Sequence, residues 1–181
     1  MRHVGFQFTS VVPSIDEDAV DTSLPPHDYV RELALRKAVR GCEMIDTDAI
    51  VIGSDTTVVL GDEVLNKPSD APDAAAMLRR LSGETHVVHT GLALVGKGKG
   101  LGTRVASRAT RVTFRDLSVD EIAAYVASGS PLDKAGAYGI QDDFGAVFVS
   151  NVEGCYYTIV GLPLELLYTE LRAMVEESRR A

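Results

Sequence analysis

The chain has 181 residues, with 18 Lys and Arg against 26 Asp and Glu, so its formal charge at pH 7 is −8. Hydrophobic residues make up 45% and charged residues 24%, a balance that excludes a disordered chain. The acidic balance argues against a general nucleic-acid binder, which needs a basic face, but local lysines or a metal ion can still offset the phosphates of a nucleotide. No stretch is apolar for long enough to cross a membrane, and two cysteines without a signal peptide predict free thiols in the cytoplasm.

The first half of the chain predicts one helix between two strand regions. Phe6–Val12 has the pattern of a short strand and is followed by a polar, proline-bearing stretch. Helical periodicity predicts a helix from about His27 to Met44. The apolar, β-branched run Ala49–Leu60 predicts a buried strand, and Gly61-Asp62 predicts a hairpin turn into Glu63–Leu65.

The second half alternates in the same way. A helix is predicted over Pro72–Leu81, with proline in its first turn. Ser118 and Glu121 form an S-x-x-E capping box, which predicts the start of a helix that ends near Ser128. The last helix is predicted to start at Pro163. The remaining predictions are strands at Thr85–Val95, Thr103–Phe114, Ala146–Val149 and Cys155–Val160, a flexible turn at Gly96–Gly100 and a glycine-rich loop at Gly129–Gln141.

Strands and helices therefore mix along the chain, and several neighbouring strands are close enough to form hairpins. That mixture predicts an α/β fold with a mixed sheet rather than a purely parallel one. The length fits one domain, or two small lobes that share a core.

Two charged residues stand where the pattern calls for apolar ones. Lys37 falls in the middle of the apolar face of the first helix, and Asp55 lies in the centre of a buried-strand pattern. Lys37 either reaches water past the edge of the core or places a cation in a cleft. Asp55 is either turned outward by a bulge at Gly53 or held as a metal ligand or general base. We favour the functional interpretation of Asp55, because Glu17 and Lys37 are suitable residues to form a site with it.

Three further segments carry polar side chains of interest. The acidic run Asp16-Glu17-Asp18 is either solvated surface or part of a Mg²⁺ site, because Mg²⁺ on a phosphate substrate requires carboxylates from different segments. Lys67, which precedes Pro68, is by itself an exposed turn lysine. The segment Asp133–Gln141 is either simply a long loop or a binding loop. Its two glycines permit close approach to a ligand, and the Gln141 amide can both donate and accept towards a base edge.

These segments form an ordered series of motifs, and the series is far more specific than any one of them. Together they resemble the Maf family of nucleotide pyrophosphatases over nearly the whole chain, from about Phe6 to Leu167. The stretches that carry the resemblance include Ile15-Asp16-Glu17, Val51-Ile52-Gly53-Ser54-Asp55-Thr56, Lys67-Pro68, Leu81-Ser82-Gly83, His86 with Thr90-Gly91, Asp133 to Gln141, and Val160-Gly161-Leu162-Pro163-Leu164.

The resemblance implies a Maf/ITPase-like α/β fold, with a mixed twisted sheet flanked by helices in two lobes with a central cleft, in a single domain over residues 1–181. It implies a cytoplasmic, homodimeric hydrolase that uses Mg²⁺ or Mn²⁺. Such an enzyme converts a nucleoside triphosphate to the monophosphate and pyrophosphate by metal-assisted attack of water on the α-phosphate. The loop that ends at Gln141 resembles that of the branch acting on dTTP and UTP, and modified pyrimidine nucleotides would use the same loop.

Roles for individual residues follow from the same resemblance. Asp55 matches the proton acceptor, and Glu17 and Asp55 are the implied metal contacts. The positions matched to substrate binding and base specificity are Thr56, Gln141, Lys37, Lys67 and Lys134. These residue types suit the reaction, because attack on the α-phosphate needs an activated water, a metal ion to spread charge, and cations for the leaving pyrophosphate.

The sequence also departs from the family pattern. Family members begin with a strand and a Ser-x-Ser-Pro-Arg-Arg segment that this sequence lacks, and Asp142 stands where glycine usually follows Gln141. Either the start lies upstream of Met1, or this form is incomplete and impaired. Two alternatives to the enzyme are therefore a nucleotide-binding protein without turnover and a cell-division regulator that acts by protein contact. The variant Asp55→Asn separates them, since only a catalytic role predicts lost turnover with binding kept.

Overall fold

The computed structural model describes residues 1, 5–17, 19–141 and 144–180, so Asp18 and Asp142 lie outside the described residues. No helix in these ranges is long and apolar enough to span a bilayer. The helices are α1 (Pro26–Glu43), α2 (Ala71–Leu81), α3 (Val119–Ala127), α4 (Tyr156–Val160) and α5 (Leu164–Ser178). The strands are β1 (Ala49–Leu60), β2 (Glu63–Leu65), β3 (Thr85–Lys97), β4 (Thr103–Phe114) and β5 (Val149–Glu153). Short 3-10 helices cover Ser130–Asp133, Ala135–Ala137 and Gly145–Phe148.

The five strands form one sheet in the order β2-β1-β3-β4-β5. β1 and β2 make an antiparallel hairpin in which Val58 lies opposite Leu65, and Gly61 supplies the positive φ that its tight turn needs. β4 and β5 are also antiparallel, with Val112 opposite Val152. The predicted α/β class, with helices packed on a sheet that is not purely parallel, is confirmed.

The described fold divides into two compact units. Unit 1 comprises Met1–Asp55, Gly91–Ser107 and Leu162–Ala181, and unit 2 comprises Thr56–Thr90 and Arg108–Gly161. The prediction of a single domain with a central cleft stays a prediction.

In unit 1, two glycines let α1 lie directly against the sheet. A Cβ atom at Gly53 in β1 would stand 2.2 Å from the carbonyl oxygen of Ala34, and one at Gly91 in β3 would stand 2.0 Å from that of Val30. Only glycine permits backbones to approach so closely. This contact fixes α1 beside β1 and so determines where Lys37 lies. The core of unit 1 also includes contacts between α5 and β3, through the buried residues Leu92, Leu94, Leu167 and Met174.

In unit 2, the core is built around aromatic rings. Phe114 packs edge-to-face against Tyr138 with 4.7 Å between the ring centroids, and Tyr125 packs in the same way against Phe148 at 5.1 Å. Helix α2 adds the buried residues Ala74, Leu78 and Leu81. Helix α3 begins with the predicted capping box, in which the Ser118 hydroxyl accepts from the Glu121 N–H and the Glu121 carboxylate accepts from the Ser118 N–H.

Most predicted elements are confirmed within one or two residues, but the strand at Phe6–Val12 is wrong. The structure places no strand there. Val12 is 88% exposed and Phe8 is 45% exposed, so the apolar side chains of this segment do not form a buried face. The turn predicted at Gly96–Gly100 also starts later, because β3 continues through Lys97.

Both strands predicted near the end of the chain are wrong as well. Ala146–Val149 falls largely in a 3-10 helix over Gly145–Phe148, and the strand begins only at Val149. Cys155–Val160 falls mostly in helix α4 rather than a strand. This β-branched run is bounded by Gly154 and Gly161, both at positive φ. Its Thr158 is fully buried, so tertiary packing has overridden the strand propensity.

Candidate active site

Three of the sequence-predicted site residues meet in unit 1. The Lys37 ammonium lies 2.5 Å from an Asp55 carboxylate oxygen and 2.8 Å from a Glu17 carboxylate oxygen. Helix α1 supplies the lysine, β1 supplies Asp55, and the loop before α1 supplies Glu17. Their side chains are 24%, 12% and 47% exposed respectively, so the cluster is partly shielded and open on the Glu17 side. Lys37, the cation within the apolar stripe of α1, therefore has two anionic partners.

The surroundings of Lys37 keep it charged. Burial favours the neutral amine and by itself lowers the pKa of Lys37. The hydrogen bonds and negative charges of Asp55 and Glu17 together outweigh that effect, so the net pKa lies above its usual value. At neutral pH the cluster is one ammonium between two carboxylates.

Asp55 is held by a continuous strand. β1 runs through Asp55 without a break from Ala49 to Leu60, and the neighbouring Ser54 hydroxyl donates to the Gly91 carbonyl at 2.8 Å. The carboxylate therefore occupies a rigid element, which is where a reacting group gains most from fixed geometry.

The donor set at this cluster suits a hard divalent cation. Mg²⁺ is usually held by one or two carboxylates, with waters and substrate phosphates as its other ligands. Glu17 and Asp55 both direct an oxygen at one cationic group, the Lys37 ammonium. Within the described ranges, no group of three or more His, Cys, Asp or Glu side chains could hold a metal ion. The residues thus fit a two-carboxylate site that substrate oxygens complete, and do not fit a closed protein cage.

In unit 2, Thr56 belongs to a short chain of hydrogen bonds. Its hydroxyl oxygen lies 2.9 Å from the hydroxyl oxygen of Thr90, which in turn donates to the Thr158 carbonyl at 2.7 Å. Thr90 and Thr158 are fully buried, whereas Thr56 is only partly buried. The predicted specificity residue is therefore the outer end of a buried polar chain.

The predicted binding loop is tied to the segment that carries Lys67. The Gly136 N–H donates to the Asn66 carbonyl at 3.2 Å. Lys134 donates to the Ser130 carbonyl and to the Asp133 carboxylate, both at 2.7 Å. The pKa of Asp133 is lowered chiefly by that hydrogen bond and to a smaller extent by the charge of Lys67. Unit 2 thus holds Lys67 and Lys134 close to one carboxylate.

Gln141 ends this loop and is exposed. Two buried anchors precede it. The Tyr138 hydroxyl shares a hydrogen bond of 2.8 Å with Nε2 of His86, and the Gly139 N–H donates to the Tyr125 hydroxyl at 3.2 Å. Desolvation lowers the pKa of His86 to about 4, so the imidazole is neutral at pH 7.

The sequence reasoning assigned no chemical role to His86 or Thr90. A signal for both was present: they lie at even-numbered positions of β3, on the same inward-facing side as Val88, where an apolar residue is expected. Polar side chains at such positions need hydrogen-bond partners, and their partners come from segments distant in the chain, in β1, in α4 and at Tyr138, that only the fold brings near.

The chain is similar to known proteins over most of its length. Residues 1–174 match the family model described as Maf-like protein. A dTTP/UTP pyrophosphatase of Salmonella typhimurium is 48% identical over 168 residues, which cover 93% of this chain and 83% of that protein. A dTTP/UTP pyrophosphatase of Salinibacter ruber is 49% identical over 173 residues, covering 96% and 83% of the two chains. One of Moorella thermoacetica is 49% identical over 164 residues, covering 91% and 82%. The chain belongs to the Maf-like protein family.

Proposed function

We propose that this chain is a nucleoside triphosphate pyrophosphatase that hydrolyses dTTP and UTP to the monophosphate and pyrophosphate. The observation that carries the proposal is the cluster of Lys37 with Asp55 and Glu17, a partly shielded cation between one carboxylate on a strand and one on a loop. The substrate class rests on the names of relatives that are 42–49% identical to this chain.

In this reaction a water oxygen attacks the α-phosphorus, and the bond from that phosphorus to the oxygen bridging the α- and β-phosphates breaks. Asp55 accepts a proton from the attacking water, and pyrophosphate leaves with the bridging oxygen. Lys37 offsets the negative charge that two neighbouring carboxylates would otherwise place near the triphosphate.

A divalent cation, Mg²⁺ or Mn²⁺, supplies charge stabilisation for the triphosphate when it is bound, and Glu17 and Asp55 would hold it. The lysines Lys67 and Lys134 of unit 2 bind phosphate oxygens. Thr56 and Gln141 contact the base, where a hydroxyl and an amide can meet the polar edge of a pyrimidine.

We also propose that the protein acts in the cytoplasm as a homodimer. Both cysteines, Cys42 and Cys155, are free thiols, as expected in a reducing compartment. Sedimentation of the purified protein tests the dimer, and a mass of one chain would contradict it.

The experiment is pyrophosphate release from UTP, dTTP, CTP and GTP, with Mg²⁺ or Mn²⁺ and with EDTA. We expect turnover of UTP and dTTP above the other two, loss of turnover in EDTA, and recovery when the cation is restored. Turnover that is unchanged in EDTA would contradict the metal requirement. Nucleotide binding without release of pyrophosphate on any substrate would instead favour a binding protein.

A further inference from the structure

The hydrogen-bond chain Thr56–Thr90–Thr158 has a fixed direction. The Thr158 carbonyl can only accept, so the hydrogen bond of 2.7 Å from Thr90 uses the single proton of the Thr90 hydroxyl. In the contact of 2.9 Å between Thr56 and Thr90, the proton must therefore come from Thr56. The Thr56 hydroxyl donates inward and has only acceptor lone pairs left for anything else.

Burial makes this direction hard to reverse. Thr90 is fully buried, so no solvent water competes for its proton. The Thr158 carbonyl also accepts from the N–H of Gly161 at 3.1 Å, which occupies its second lone pair. Reversing the chain would leave the Thr90 hydroxyl oxygen and the Thr158 carbonyl oxygen 2.7 Å apart with no proton between them, at a cost typical of an unmet buried hydrogen bond.

Helix α4 is what presents the Thr158 carbonyl. The helix has only five residues and ends at Gly161 with φ 100°, so the Thr158 carbonyl lies in its last turn and outside the main helical ladder. A strand over Cys155–Val160 would direct alternate carbonyls to opposite sides of the chain. The direction of the hydroxyl chain thus depends on the element that the sequence pattern misassigns.

We propose that Thr90 is a positioning residue that takes up the Thr56 proton, so that Thr56 can only accept a hydrogen bond from the base and so selects pyrimidines that carry a proton on N3. This inference rests on the proposed function. Uracil and thymine present an N3–H donor, which the Thr56 hydroxyl oxygen accepts. Cytosine presents an unprotonated N3 acceptor, which faces the same oxygen without a shared proton. A site with fixed polarity rejects the wrong base because a desolvated polar atom is left unpaired.

The test compares wild type, Thr90→Val and Thr90→Ser as full chains. Valine keeps the branched shape but removes the hydroxyl, which frees Thr56 to turn its proton towards the base. Serine keeps the hydroxyl and its direction. Binding is measured by calorimetry with α,β-imido analogues of UTP and CTP, and kcat/KM is measured with UTP and CTP.

We expect the preference for UTP over CTP to shrink by roughly ten-fold in Thr90→Val and to be retained in Thr90→Ser. A merely structural role lowers the unfolding midpoint and both affinities but leaves their ratio unchanged. An unchanged ratio in folded Thr90→Val would overturn the proposal, and so would an equal loss of preference in Thr90→Ser.

A double variant shows whether Thr90 acts through Thr56. In a Thr56→Ala background, Thr90→Val should no longer alter the ratio of the two affinities, and an undiminished effect there would contradict the proposal. If Thr90→Val fails to fold, Thr56→Val replaces it, and it must by itself narrow the preference for the UTP analogue.

The two arms separate this inference from the proposed function. Selective binding of the UTP analogue without turnover of UTP would contradict the pyrophosphatase and leave the polarity of Thr56 supported. Turnover of UTP and CTP at equal efficiency, with equal affinity for both analogues, would support the pyrophosphatase and overturn the role of Thr90.

Discussion

Replacing Asp55 with asparagine separates the chemical role of its carboxylate from its structural one. Asparagine keeps the shape and can still accept from Lys37, but it cannot take a proton from water. Positioned general bases contribute about 10²–10⁴ in rate. We therefore expect Asp55→Asn to lower kcat by about 10²–10⁴, while the affinity for a non-hydrolysable UTP analogue changes by less than about five-fold.

The stability effect of the same change can be worked from the cluster. The hydrogen bond of 2.5 Å from Lys37, between side chains that are 24% and 12% exposed, loses its charged acceptor in the variant. Such bonds contribute about 1.5–3 kcal/mol, but Lys37 keeps Glu17 at 2.8 Å as an anionic partner. We expect a loss of about 1–2 kcal/mol in the free energy of unfolding, which leaves the variant folded at 25 °C.

The assays are steady-state pyrophosphate release, calorimetric binding and urea denaturation on the same preparations. Glu43→Gln is a matched control, because the Arg40–Glu43 ion pair on α1 is also 2.5 Å long but both side chains are at least half exposed. Exposed pairs contribute little, so this control should leave turnover unchanged. Turnover of Asp55→Asn within about three-fold of wild type would refute Asp55 as the base. A parallel fall in binding would show that the carboxylate acts mainly on affinity.

Three further outcomes follow from burial and packing. The pKa of Lys37 is raised above 10.5, so its ion pairs stabilise the fold fully below pH 10.5 and lose that contribution above it. Urea denaturation should therefore show that the free energy of unfolding falls more steeply with rising alkaline pH in wild type than in Lys37→Met. The pKa of His86 falls from 6.5 to about 4 in the folded state, so as the pH falls the unfolded chain takes up this proton before the folded chain does. The free energy of unfolding should therefore drop by up to about 3 kcal/mol between pH 6.5 and pH 4. His86→Gln should lack that part of the drop. Gly53→Ala would place a Cβ atom 2.2 Å from the Ala34 carbonyl oxygen and should lower the free energy of unfolding by at least about 3 kcal/mol. Gly102→Ala is the control, because the space around Gly102 is open, and it should change thermal stability little. Equal melting temperatures for the two variants would contradict the close packing of α1.

Local chemistry alone was enough to predict much of this molecule. β1 and β4 have the predicted bounds, and α1 and α2 lie within one residue of theirs. The capping box of α3 makes both of its hydrogen bonds. In these segments periodicity, capping and turn residues agree, so tertiary contacts have nothing to override. The same reading also identified Lys37 and Asp55 as misplaced charges, because a charge in an apolar pattern needs a partner whatever the fold is.

Tertiary structure alone decided which partners those groups have. Glu17 precedes Lys37 by twenty positions, so only the fold brings its carboxylate within 2.8 Å of the lysine. Packing of Thr158 overrides the strand propensity of Cys155–Val160, and the segment forms helix α4 instead. This helix supplies the Thr158 carbonyl that accepts the hydrogen bond from Thr90. Hydrogen-bond direction depends on atoms that are distant in the chain and close in space, and such contacts exist only once the fold has formed.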